Sequence, residues 1–340
     1  MNRGLILAVG AAALFLAGCA GTTRDDAKQL AGAGVTATQA LTAQDTSAQK
    51  TLDVLGKWWA VHDSLVCINP KPGLREDCIK SVDSEAVVKY HDSLIASRRT
   101  LSDVMRKRAE ATKQLNDAYA ALADLANYDA GQETATALKS TFASINELSA
   151  AASSLAPGAA ALPAITSTFT TVTTGVLVFA ADERQSALML SASNDLHTAL
   201  GALTAALKVE RDKAASESLL SELAKERGAL YESAIDAGLI SPTEVLTPVF
   251  QAGYPDLKLA NPPPEYAAIV KAAALHAARA QAADDQYQVV RSYDAALATL
   301  DELSKQHEAL AKKQPLDFAA IEAEIKHLYA VMATSSVKPK

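Results

Sequence analysis

The side chains best suited to chemistry are scattered along the chain. Six histidines stand at positions 62, 91, 197, 276, 307 and 327, with no HExxH and no pair four residues apart. A helix-borne zinc site needs such a pair on one face, so metal chemistry has no local framework. Ser47-Ala48-Gln49-Lys50 fits the SxxK pattern of acyl-enzyme serine sites, but neither of its usual partners, SDN or KTG, occurs in the chain. Gly32 to Ala37, GAGVTA, mimics a dinucleotide fingerprint, in which glycines let the backbone approach a pyrophosphate. No strand pattern precedes it, and GxSxG and P-loop motifs are missing. The expectation is a non-enzymatic protein with no cofactor and no metal site.

Residues suited to contact rather than catalysis are easier to find. Trp58 and Trp59 are adjacent, about 100° apart on a helix, so one can pack inward while the other faces a partner protein or glycan. Arg99, Arg106 and Lys113 recur every seven residues and form one basic stripe, suited to phosphate groups of lipopolysaccharide or anionic lipid. Asp103 and Glu110 follow Arg99 and Arg106 by four, the spacing of intrahelical pairs that would neutralise the stripe. With 32 basic against 39 acidic residues and a pI near 5.5, nucleic acid is not expected as a partner.

The N-terminus bears on location. Arg3 is followed by an apolar run, Leu5 to Ala17, too short to span a bilayer as a mature helix, which is the anatomy of a secretory signal. Its end, Leu16-Ala17-Gly18-Cys19, resembles the lipobox of bacterial lipoprotein precursors. That resemblance, confined to residues 1–19, implies cleavage before Cys19, acylation of its thiol and new amino group, and membrane attachment through the acyl chains. In the enteric sorting pattern an aspartate after the cysteine retains a lipoprotein in the inner membrane. Ala20 stands there, so the resemblance implies the outer membrane, facing the periplasm or the cell surface. Cys67 and Cys78, in VCINPKPGLREDCIK, remain after lipidation, and a disulfide closing this Pro- and Gly-containing turn is expected in an oxidising envelope.

The segments that must position these residues read as helices throughout. Alanine abounds while aromatics are only 5%, a composition suited to closely packed helices. Residues 19–40 read as a lipidated cysteine and small, polar tether, 41–334 as the helical domain, and 335–340 as a tail. From Leu41, apolar positions take helical spacing up to the prolines at 70 and 72. Val87, Leu94, Leu101, Leu115 and Leu122 then recur in steps of seven, with Arg108 the one break. A break is expected near Gly131, and a helix stop at Gly238. A capping box is expected at Ser241-Pro242-Thr243-Glu244, then a long helix over about 265–313 and a last one from Phe318. The expected fold is all-α, an elongated antiparallel bundle of long, coiled-coil-like helices.

From Leu148 to Ala181 no residue is charged, and the Thr-rich part, Ile165, Phe169, Val172, Val176, Phe179, follows steps of four and three. That spacing predicts an inner helix. The functional expectation is a lipid-anchored envelope protein that binds or spaces an envelope protein or glycan. The alternatives are a membrane-active protein whose uncharged head at 148–181 resembles, in layout alone, that of helical pore-forming toxins, and an envelope enzyme without a recognisable motif.

Overall fold

The computed structural model describes residues 24–46, 48–49, 85–127, 130–155, 162–169, 181–215, 219–260 and 262–335. It is all-α, with no strand among the described residues. The helices are α1 (24–46), α2 (Glu85–Asn127), α3 (Gly131–Leu155), α4 (Ala181–Ala215), α5 (Leu219–Asp236), α6 (Pro242–Gly253), α7 (Ala267–Ala311) and α8 (Phe318–Ser335). A 3₁₀ turn, Pro264–Tyr266, leads into α7.

Most helix ends fall where local chemistry places them. Ser241 caps α6 with both halves of the capping box present: its side chain accepts from the α6 backbone, and the Glu244 carboxylate accepts from the Ser241 N–H at 2.8 Å. Beyond α5, Gly238 takes φ +68°, a left-handed conformation in which a side chain is strained. Its amide and that of Leu239 return to the carbonyls of Ile235 and Ala234.

The chain divides into two compact units. The first comprises 1–46, 103–210 and 292–333; the second comprises 47–102, 211–291 and 334–340. Within the first, α1 runs antiparallel to α2. Arg24 donates to the carbonyls at the α2 C-terminus, Ala126 and Asn127 (2.7 Å to the latter), where a cation is favoured by the helix dipole. Thr38 donates to Asn116 at 2.9 Å one stretch further along. The two helices approach closely where the Gly34 Cα lies against the ring of Tyr119, and Ala27, Ala31, Ala37 and Ala40 of α1 are fully buried within the unit. Residues 24–40, expected as part of a small, polar tether, are a packed helix. Its small, weakly patterned residues serve close helix approach rather than flexibility.

The Thr-rich stretch is a second correction. Residues 162–169 are not helical. The Asn146 side chain of α3 pairs with both backbone groups of Ile165 (2.8 and 2.9 Å). On α4, Asp195, 2% exposed, accepts from the Ser167 hydroxyl, the Thr168 amide and hydroxyl (2.7 Å), and the Phe169 amide (3.1 Å). These side chains satisfy backbone groups that a helix would have used, and β-branched threonines favour extended backbone. Phe169 is buried, while Val172, Val176 and Phe179 lie outside the described residues. Asp195→Ala is expected to make 162–169 several-fold more sensitive to limited proteolysis with the helices intact by circular dichroism; unchanged cleavage would show that the clamp is dispensable.

In the second unit α5 and the start of α7 pack antiparallel. Lys271 pairs with Asp236, and Arg279 lies 3.2 Å from Glu232.

Candidate functional site

The most highly charged buried cluster among the described residues begins at the one break in the α2 heptads. Arg108 occupies a core-facing position, 2% exposed, one helical repeat from the fully buried Leu115. Three helices of the first unit bring polar groups to it. Arg108 Nη1 donates to Glu210 Oε1 of α4 at 2.7 Å, and Nε makes an ion-pair contact with Asp45 of α1. From α7, Tyr293 Oη donates to the same Glu210 oxygen at 2.5 Å and sets its ring 5.2 Å from the guanidinium, in cation–π range. Asp45, Glu210 and Tyr293 are each at most 2% exposed. Next to them Gln44 donates to Ser292 at 3.2 Å, joining α1 to α7.

This arrangement sets two carboxylates against one guanidinium in a dry core. Burial pushes the Asp45 carboxyl up to about 7; the attraction of Arg108 only partly counters it, and Glu210 adds to it. Burial raises Glu210 as well, offset in part by Arg108 and by the Tyr293 hydrogen bond. Burial alone would lower Arg108, but Asp45 and Glu210 more than restore it, so it stays charged. Burial and the neighbouring Glu210 hold the Tyr293 phenol well above its ordinary value, and thus neutral.

A second polar layer of the same unit lies further along the bundle. His307 of α7, fully buried, is bonded through Nε2 to the Tyr119 hydroxyl at 2.9 Å and through Nδ1 to Ser193 at 2.8 Å. Burial, with the charge of His197 secondary, pushes His307 down to about 3, so it is neutral. Serine, histidine and tyrosine in series resemble a nucleophile relay on paper. Here all three are fully buried, and the histidine is satisfied on both nitrogens. The layer orders the core and aligns helices.

A different kind of feature marks the second unit. Seven of the nine large apolar or aromatic side chains exposed among the described residues fall in one stretch: Leu239, Val249, Phe250, Tyr254, Leu257, Tyr266 and Ile269. No residue of α6 is buried, and Tyr254 is 70% exposed. Such concentration, in a chain poor in aromatics, has the composition of a protein-contact surface.

Of the residues singled out by sequence, Cys19, Trp58, Trp59, Cys67 and Cys78 lie outside the described residues. Arg99, Arg106 and Lys113 are exposed along α2. The partners differ from the expected Arg99–Asp103 and Arg106–Glu110 pairs: Asp103 takes Arg106 at 2.6 Å and Lys107 at 3.5 Å, and Glu110 accepts from Gln114. Among the described residues no group of three His, Cys, Asp or Glu side chains could hold a metal, and no helix is long and apolar enough to cross a membrane. No family model matches the chain, and no curated protein or solved structure is detectably similar to it.

Proposed function

We propose that this is a lipid-anchored, non-enzymatic protein of the bacterial cell envelope, attached to the outer membrane through acylated Cys19, whose helical body binds an envelope partner. The exposed apolar stretch 239–269 carries the reading. Water-exposed Phe, Tyr, Val, Leu and Ile side chains gain by burial at about 25 cal/mol per Å², and aromatic anchors dominate the energetics of protein contacts. The lipobox resemblance supplies the location, since several acyl chains at about 0.8 kcal/mol per buried CH₂ give stable anchoring. A Cys67–Cys78 disulfide belongs to the same proposal, as a structural staple.

Site-specific photocrosslinking in intact envelopes tests it. A crosslinker in place of Tyr254 is expected to give a discrete adduct, and one in place of Glu322, exposed on α8, none. Adducts from position 106 in place of 254 would move the contact to the basic stripe; none from either would contradict partner binding by the described surface. The membrane-active alternative gains nothing from Phe169, which is buried.

A further inference from the structure

We propose that Asp45 and Glu210 share one proton in the folded protein, and that losing this proton to solvent as pH rises loosens the docking of α1 within the first unit. The inference stands on the cluster itself and holds whether or not Cys19 is acylated. Among the described residues, the groups facing Asp45 are Arg108 and Thr112 from α2, Glu210 from α4 and, through Glu210 and Arg108, Tyr293 from α7. Arg108 is the only cation of that set. One positive charge neutralises one carboxylate, and a second negative charge in a low-dielectric core is far costlier than a bound proton.

The hydrogen bonds decide which carboxylate keeps the charge. Glu210 accepts from both Arg108 Nη1 and Tyr293 Oη, at 2.7 and 2.5 Å. Asp45 has the contact of Arg108 Nε and the Thr112 hydroxyl, and the charge of the neighbouring Glu210 acts against its ionised form. The proton therefore resides mainly on Asp45, and α1 is the helix that feels its loss.

The direction of the pH effect follows. A carboxyl raised on folding holds a proton that the unfolded chain has already released. The stability it confers is complete below the unfolded value near 3.8 and is lost as pH rises toward about 7, by about tenfold in the folding equilibrium per pH unit. His307 acts oppositely: lowered to about 3, it contributes stability that is present above 6.5 and lost as pH falls. The two slopes offset each other between about 4 and 6.5, so the wild-type profile alone is not diagnostic.

Urea unfolding of the whole mature chain and of Asp45→Asn, at pH 4.5, 6.0 and 7.5, separates them. Asparagine mimics the protonated aspartic acid. The two proteins are expected to be nearly equal at pH 4.5, and the variant at least tenfold more stable in its folding equilibrium at pH 7.5. A variant less stable by the same factor at every pH would overturn the proposal in favour of a simple ion pair. In the wild type, amide exchange over residues 37–46, corrected for its intrinsic pH dependence, is expected to quicken between pH 5 and 8. Unchanged protection there would overturn the link to α1, independently of how the variant folds.

Discussion

Arg108→Ala is expected to lose about 3–5 kcal/mol of folding stability at neutral pH, read as a fall in the urea midpoint, because it leaves Asp45 and Glu210 buried without a cation. Against the 5–15 kcal/mol typical of a folded domain, that loss brings the first unit close to unfolding. The effect should be mostly removal of a partner rather than of packing. Replacing the whole set, with Arg108→Met, Asp45→Asn and Glu210→Gln together, should therefore recover most of the loss, since no uncompensated charge then remains. Arg108→Lys should fall between, because a single ammonium cannot reproduce a planar fork that reaches two carboxylates. A loss under about 1 kcal/mol for Arg108→Ala would mean that the cluster is solvated and that its buried geometry is wrong.

The second large effect is expected at Gly34. A Cβ there would lie 2.2 Å from two Tyr119 ring carbons, and that ring is fully buried with its hydroxyl on His307. The ring cannot swing aside without breaking the His307 layer, so Gly34→Ala should reach the upper part of the ~1–3 kcal/mol range for overpacking, less up to ~1 regained by alanine's helix propensity. Gly32 is the internal control. Nothing lies within 4 Å of its Cβ position, so Gly32→Ala should be neutral or stabilise by up to ~1 kcal/mol. Thermal unfolding of the two single variants checks this directly, and equal midpoints would contradict the close approach of α1 and α2.

These two positions also show what the sequence discloses and what it hides. Helix extents and caps are local, and they could be read: the long α2 helix, the break before Gly131, the turn at Gly238 and the Ser241 box all appear as expected. Arg108 was visible as an exception to a heptad, but an exception carries no address. Its partners come from positions 45, 210 and 293, each a charged or polar residue on the core-facing side of its own helix. Looking for charges that fall in apolar seams on several helices is the signal that would have gathered them. Gly34 sits in a motif that imitates nucleotide binding and in a stretch too poor in large apolar residues to look packed. What packs it is the tyrosine 85 positions away, which no local rule reaches. The helix expected at 165–169 fails for a related reason: its four-and-three spacing is real, but Asn146 and Asp195 offer the backbone other partners.

The surface at 239–269 could be seen only as an irregular, Pro-rich connection. Exposure is a tertiary property, and the apolar residues of α6 would equally suit a buried helix.

Membrane attachment through Cys19 is the premise that gives this surface its partner class, and the mass of the mature N-terminal peptide purified from envelopes tests it most directly. The expected result is a peptide beginning at Cys19, carrying a thioether-linked diacylglycerol and an amide-linked acyl chain, and recovered with the membranes. An unmodified N-terminus at any other residue, on a protein released without detergent, would contradict it.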